Sequence, residues 1–411
     1  MLVKNSFLPV VWAAFLVAVP NVHCAEYEVS PSIAVTQEYT DNLFETPTNR
    51  VTESITRIQP GLSILYKAPL WDWQSSYNFD YRIYDRGKKG DETTHALAAN
   101  GSIRLIEELL FLDVSDTYSR VSLDATRDTS RESLFVNQTD RNVATISPHL
   151  ILRPATGVSI RTGYRYINTW YRDPAASPKQ DHVAFIDTSY EITPKLSVSA
   201  SYEFTREIAD QYEFNRQVAS AGPSYEYAEK SFIFVRGGAS IIKYDARPST
   251  IGPYWSAGLT HTFDTVIATL STGVSYTDDP LGNAFQEEYY TVSLKKQLRE
   301  RASVELTGDY TQFTNTVTDI AQNKRYSGAI KGTYEIIHNL QGNLGLTYVR
   351  YHDLLRDGFT DKYFVDSGLS YTFGKGWSTR AAYSYLDYSS QQIATDNKWV
   401  NRVIIELKKT F

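Results

Sequence analysis

The stretch Trp71–Tyr84, WDWQSSYNFDYRIY, decides how the rest of the chain is read. Trp71, Trp73, Tyr77, Phe79, Tyr81 and Ile83 fall on one parity; Asp72, Gln74, Ser76, Asn78, Asp80 and Arg82 fall on the other. A strand sends successive side chains to opposite faces, so this segment has one greasy face with aromatic ends and one charged face. Strands of a soluble sandwich also alternate, but they usually run about five to six residues. An alternating run of about ten or more, with Trp and Tyr at its ends, suits a strand that crosses a bilayer at a tilt.

The pattern repeats outward in both directions. Tyr27, Val29, Ile33, Val35 and Tyr39 share a face opposite Glu28, Ser30, Ser32, Thr36 and Glu38, and a polar loop from Asp41 to Arg50 follows. Ile58, Leu62, Ile64 and Tyr66 lead back to the Trp71 strand. Later come Val158 to Trp170, Leu196 to Phe204, and Trp255 to Phe263; the last turns at Asp264-Thr265 into Val266, Ala268, Leu270, Val274 and Tyr276. Near the end, Tyr363 to Phe373 and Trp377 to Tyr385 flank a Gly374-Lys375-Gly376 turn. Both parities of Phe232–Ile242 are apolar, which leaves the facing of that segment open. Short connections such as Pro154 to Gly157 and Thr193-Pro194 alternate with long polar ones. The long ones are Ser122 to Leu134, Tyr171 to Asp181, Asp278 to Glu287, Asn315 to Asn323 and His352 to Lys362. The expectation is an all-β transmembrane antiparallel up-and-down barrel of 18–20 strands covering residues 25–411, with the long loops extracellular and the C-terminus periplasmic.

Composition agrees. The 411 residues show no linker that divides them, and mean hydropathy is below zero. The chain holds 30 Tyr and 18 Phe against one Met, and a tyrosine ring suits a bilayer boundary because its hydroxyl still reaches water. Residues 1–24 resemble a cleaved secretory signal: Lys4, an apolar stretch from Phe7 to Val19, Pro20, then small residues at Val22 and Cys24 before Ala25. Acylation of Cys24 is the alternative, but Asn21 and His23 suit that cleavage poorly. If Cys24 is removed with the signal, no thiol remains for a disulfide, a zinc site or a nucleophile. The formal net charge of -6 carries no basic stripe, so nucleic acid is not an expected partner. Phe411, on the parity of Trp399, Val403, Ile405 and Leu407, resembles the C-terminal aromatic that the barrel-assembly machinery recognises in outer-membrane proteins.

The polar parities supply the candidate lumen lining: Glu28, Glu38, Asp72, Asp80, Arg82, Arg161, Arg165, Glu203, Lys295, Glu305, Asp309, Lys331, Glu335, Arg380, Arg402 and Glu406. Both signs are mixed, which suits a hydrated path without strong charge selection; any barrel interior must also be polar and paired. About 20 strands ~4.8 Å apart and tilted ~40° close at a backbone diameter of ~40 Å, wide enough for an aqueous lumen unless something plugs it. Ser122 to Leu134 is the candidate for an inward-folded loop. Tyr84 and Tyr289 lie on a lumen parity and are candidate platforms for sugar rings. No Gly-x-Ser-x-Gly, His-Glu-x-x-His or phosphate-cradling loop is present, so neither an enzyme nor a cofactor is expected. His149 and His182 sit at strand positions, and His95 and His261 fall on the apolar parity. The acidic run Tyr276–Asn283 is open to calcium, but its oxygen spacing favours a solvated loop; Asp41-Asn42 is read as a turn before an ion site.

At Gln37-Glu-Tyr-Thr-Asp-Asn-Leu-Phe44 the chain resembles the β-barrel porin family that includes EpsL-type outer-membrane proteins of exopolysaccharide operons. In that group a first strand soon after the signal ends in a similar Asp-Asn-Leu-aromatic turn. The resemblance implies an outer-membrane component of polysaccharide export, working with a periplasmic export partner and an inner-membrane polymerase and chain-length regulator. It supplies no catalytic residues. A general diffusion porin for small polar solutes and a structural or adhesive barrel remain the alternatives.

Overall fold

The computed structural model describes residues 25–126, 138–210, 212–244, 249–391 and 394–411. The leader, residues 1–24, and residues 127–134 of the inward-loop candidate lie outside the described residues.

The described residues form 20 strands. They are β1 Glu26–Thr40, β2 Glu53–Ala68, β3 Trp71–Tyr84, β4 Glu92–Ile106, β5 Leu110–Ser122, β6 Gln138–Leu152 and β7 Val158–Tyr171. Then come β8 Lys179–Thr193, β9 Leu196–Ala209, β10 Glu213–Ala228, β11 Ser231–Tyr244, β12 Thr250–Thr262, β13 Val266–Asp278 and β14 Ala284–Leu298. The last are β15 Ala302–Asn315, β16 Ile320–Ile337, β17 Leu340–Asp353, β18 Gly358–Phe373, β19 Trp377–Ser390 and β20 Lys398–Thr410, with a 3-10 turn at Ala394–Asp396 before β20. Each strand pairs antiparallel with the next, and β20 returns to β1 from Ser32 opposite Thr410 to Thr40 opposite Arg402. The sheet therefore has no free edge, and its strands run from 13 residues in β5 to 18 in β16.

One face of every strand turns outward. Along β15 to β20 it carries Leu306, Ile330, Leu344, Leu369 and Ile405, and Ile405 is 59% exposed. A continuous aliphatic surface of this kind is stable against lipid and not against water. Tyrosines rim it toward one end: Tyr290, Tyr310 and Tyr326 form a row with centroids 5.9 and 5.0 Å apart, and Tyr348 meets Tyr363 at 5.0 Å. The other rim carries Tyr27, Tyr334, Phe373, Trp377 and Phe411. On β16, Tyr326 and Tyr334 are separated by a rise of ~20 Å along the barrel axis, close to the ~25 Å apolar band of outer-membrane barrels.

Polar atoms on the outer face are satisfied across strands. The Tyr77 hydroxyl pairs with His95 Nδ1 at 2.7 Å, Tyr164 with His182 at 2.5 Å, and Tyr227 with His261 at 3.0 Å. An imidazole facing hydrocarbon needs such a partner, because an unmet polar group there costs several kcal/mol. These three histidines are thus committed to the wall. His149 lies on the inner face, stacked on Phe111 at 5.3 Å and 3.5 Å from the Asp113 carboxylate.

Four of the long connections are shorter than the sequence pattern suggests. Strands run on into the ends of Tyr171 to Asp181 and Asp278 to Glu287 and through most of Asn315 to Asn323 and His352 to Lys362, leaving connections of 172–178, 279–283, 316–319 and 354–357. Backbone pairing continues there, as Phe285 opposite Asn315 and His352 opposite Phe359 show. Above the bilayer the outer parity no longer has to be apolar, so alternation fades while the ladder persists.

Candidate channel lining and mouth

The charged residues picked out in the sequence all lie on the face turned away from the exposed aliphatics. A connected group sits near the end with the longer connections. Arg57 Nε and Nη2 donate to Asp80 Oδ1 and Oδ2 at 3.1 and 2.6 Å, and its Nη1 donates to Glu38 Oε2 at 3.4 Å. Arg82 Nε donates to Asp80 Oδ2 at 2.9 Å, and Arg402 Nη2 donates to Glu45 Oε1 at 2.7 Å. The arc continues through Arg120, which bonds Glu92 at 3.1 Å and Asp140 at 3.0 Å, and Arg172 bonds Asp140 at 3.1 Å. Arg57 stands on the polar parity of its strand and was readable by alternation; Glu45 is in a loop, where periodicity gives no signal.

The remaining candidates are dispersed along the wall. Glu28 accepts from Ser30 Oγ at 2.9 Å, and Asp72 pairs with Arg104 at 3.0 Å. Arg161 lies 3.5 Å from Asp113, and both Arg161 and Arg165 cover the Phe185 ring, at 5.4 and 5.2 Å. Glu203 accepts from Thr205 Oγ1 at 3.4 Å and Asp309 from Ser327 Oγ at 2.9 Å. Lys295 and Lys331 flank Glu305 on neighbouring strands, Glu335 stands opposite Gln341, and Arg380 stands opposite Glu406. These residues are spread around the wall and converge on no single point. Among the described residues no group of three or more His, Cys, Asp or Glu is arranged to hold a metal ion.

The mouth at this end is built from inward-facing apolar residues that alternation alone did not assign. Phe214, Ile242 and Tyr244 are buried together with Tyr212, Tyr276 and Val317 packed on them. This accounts for Ile242 at the end of the doubly apolar Phe232–Ile242 segment: on β11 one parity meets lipid, and Ser240, Ile242 and Tyr244 on the other seat elements folded inward, while Arg236 covers the Phe234 ring lower down. The connection after β15 reaches that seat, where the Tyr244 and Thr316 hydroxyls are 2.7 Å apart. So does the tip of the β13–β14 hairpin, whose Tyr276 hydroxyl bonds Ser240 on β11. Farther along, Lys179 Nζ on β8 donates to Asp278 Oδ2 at 2.6 Å and Glu207 Oε2 at 3.2 Å, with Asp181 at 3.9 Å. The backbone N–H of Ser177 donates to the Pro280 carbonyl at 2.7 Å. Strands so far apart around the wall can meet in this way only through the interior.

The acidic run at the tip is therefore not a solvated loop. Asp279 is buried, accepting from Asn283 N at 2.8 Å and Asn283 Nδ2 at 2.8 Å. Burial pushes its carboxyl above the usual carboxylate range, although the Asn283 bonds oppose that, and nearby Asp124 adds to it. Tyr212 is likewise pushed up by burial and then by Asp278 and Glu207. Tyr84 is buried against Leu43 and Ile55 with its hydroxyl on Glu92 at 3.1 Å, so its ring is not an accessible sugar platform. Tyr289 is half-buried on the inner face opposite Gly273.

The Asp41-Asn42-Leu43 motif closes the barrel seam. Asp41 Oδ1 and Oδ2 accept from Asn401 N and Nδ2, both at 2.8 Å. Asn42 Oδ1 accepts from Thr46 N at 3.0 Å, its Nδ2 donates to the Trp399 carbonyl at 3.1 Å, and Leu43 is 1% exposed. The pair makes a turn that clasps the first loop onto β20.

A closed 20-stranded antiparallel cylinder, greasy outside and charged inside, has the fold of outer-membrane β-barrel proteins. Solved structures of similar fold include a mutant of the ferric enterobactin receptor PfeA from Pseudomonas aeruginosa, with a TM-score of 0.53 at 11% identity over 93% of this chain and 80% of that one. The FrpB iron transporter from Neisseria meningitidis (F5-1 variant) gives a TM-score of 0.51 at 9% identity, over 93% and 82% of the two chains. The siderophore receptor PirA from Pseudomonas aeruginosa gives 0.50 at 10%, over 93% and 80%. At these identities the likeness is one of fold. No family model matches the sequence, and no curated protein matches it.

Proposed function

We propose that this protein is an outer-membrane channel through which an exopolysaccharide leaves the cell. The observation that carries the proposal is the inner face: a closed wall ~40 Å across lined by charges of both signs among Ser, Thr, Asn and Gln. Such a lining suits a neutral or mildly charged hydrated polymer. The Gln37–Phe44 resemblance supplies the polymer class. In this reading residues 1–24 direct export, Phe411 is the assembly signal, the short turns and C-terminus face the periplasm, and the longer connections face outward. A periplasmic partner brings polymer to the inner mouth. The protein acts without catalysis.

Deleting the gene is expected to abolish surface polysaccharide while polymer synthesis continues inside the cell; normal secretion from the deletion strain rejects the proposal. A diffusion porin predicts the opposite pair of results, slowed solute uptake with unchanged polysaccharide. An adhesive barrel predicts that loop deletions abolish attachment and leave conductance unchanged.

A further inference from the structure

We propose that the tip of the β13–β14 hairpin is a hinged gate across the barrel mouth, latched by Lys179. The proposal rests on the channel part of the reading above and is independent of what the channel carries.

The wall opens at the β12–β13 seam, as it also does at β4–β5, where pairing stops at Leu97–Tyr118 while β5 stays paired with β6 up to Ser122–Gln138. Pairing between β12 and β13 begins at Thr262–Ile267 and stops at Ser256–Gly273, whereas β13 stays paired with β14 up to Asp278–Ala284. Beyond Gly273 the hairpin leaves the wall, and residues 250–255 of β12 have no β13 residue opposite them. The departing tip crosses the inner faces of its neighbours to reach Ser240 and then Lys179. Gly273 is the point of departure, and a Cβ there would lie 2.7 Å from the Tyr289 hydroxyl and 3.1 Å from the Trp255 carbonyl. On the facing strand, Gly252-Pro253 is a pair that suits a strand edge without a permanent partner.

Two arrangements are written into the same residues. In the observed one, Val274 is 3% exposed although it shares the parity of Leu270, which is 50% exposed. If the register of Ser256–Gly273 continued, Val274 would stand opposite Trp255, Tyr276 opposite Pro253 and Asp278 opposite Ile251. Val274 and Tyr276 would then extend the outward row of Leu270, as their alternation in sequence suggests. The inward arrangement is held by the Tyr276–Ser240 bond, the Ser177–Pro280 backbone bond and the ion pair of Asp278 with Lys179. Three carboxylates, Asp181, Glu207 and Asp278, share that one ammonium. Arg216 is a second cation near Asp181, and the three carboxylates still outnumber the two cations, so the latch is suited to release. A swing about Gly273 exchanges these contacts for a continued β12–β13 ladder and clears the mouth.

The test uses the full chain carrying Cys24→Ser, reconstituted in planar bilayers. Ser177→Cys with Pro280→Cys places a disulfide across the closed contact. The expected result is a low conductance under oxidising conditions that rises on reduction. Asp278→Asn, which keeps the shape and removes the latch charge, is expected to raise the open fraction about tenfold or more. Equal conductance in the oxidised and reduced states, with the disulfide verified by thiol titration, overturns the gate, as does an absence of current in every form. Redox-gated current together with normal polysaccharide secretion in a deletion strain keeps the gate and removes the export reading.

Discussion

Replacing Arg57 with methionine tests whether the buried inner-face charges stabilise the barrel as a network. Arg57 contributes a two-point contact to Asp80 and a third bond to Glu38, whose side chains are 9% and 2% exposed. Asp80 retains Arg82 at 2.9 Å, and Glu38 retains Arg402 only at 3.9 Å. Stripping one partner from a buried pair costs about 3–5 kcal/mol, and the surviving contacts place this case near ~3 kcal/mol. Arg104 is the control: it holds Asp72 at 3.0 Å, but the two side chains are 40% and 46% exposed. Solvent screens that pair, so Arg104→Met is expected to cost under ~1 kcal/mol. Urea unfolding of the barrel in lipid vesicles, followed by the heat-modifiable shift on electrophoresis, measures both. A loss in Arg57→Met no larger than that in Arg104→Met refutes the reasoning.

Other expectations follow from single sites. Asp41→Ala removes both acceptors from the β1–β20 clasp and should lower stability by about 1–3 kcal/mol, seen as an earlier urea midpoint; no shift would show the clasp to be idle. At Gly238 a Cβ would fall 1.8 Å from the Ala219 carbonyl, so Gly238→Ala should abolish the folded electrophoretic band or cost about 1–3 kcal/mol, whereas Gly237→Ala, with open space, should leave it intact. The Asp279 carboxyl is raised by burial, so its ionised form weakens the closed tip at neutral pH. That cost disappears as pH falls through the raised value, and open probability in bilayers should fall on acidification. Asp124 and Tyr171 face the same site; the latch carboxylates Asp278, Asp181 and Glu207 on Lys179 act in the opposite sense when they lose their charge, and Asp279→Asn isolates the Asp279 share by removing its part of the pH response.

The wall was legible because lipid enforces a two-residue period, and Trp71–Ile83 carries it with Ser75 as the one break in its apolar parity. The turns at Asp264-Thr265 and Gly374–Gly376 were legible for the same reason, since they interrupt that period. The mouth was not. Ile242 and Tyr244 look like lipid-facing residues on the wrong parity, and the hairpin residue Tyr276 and the loop residue Val317 seated on them account for their chemistry. Val274 and Tyr276 keep the outward alternation while lying inside, so the pattern describes a path the backbone leaves at Gly273. Ion pairs such as Lys179–Asp278 join distant strands, and no local spacing announces them.

Cysteine-linked spin labels placed singly at residues 344 to 349 of β17, in membranes, measure the facing of the wall directly. Labels at Leu344, Leu346 and Tyr348 should collide with dissolved oxygen, and those at Gly345, Thr347 and Val349 should not. A water-soluble nickel chelate should reach none of the first set. Accessibility without a two-residue period, or nickel contact at Leu344 and Leu346, would contradict a cylinder whose greasy face lies in lipid.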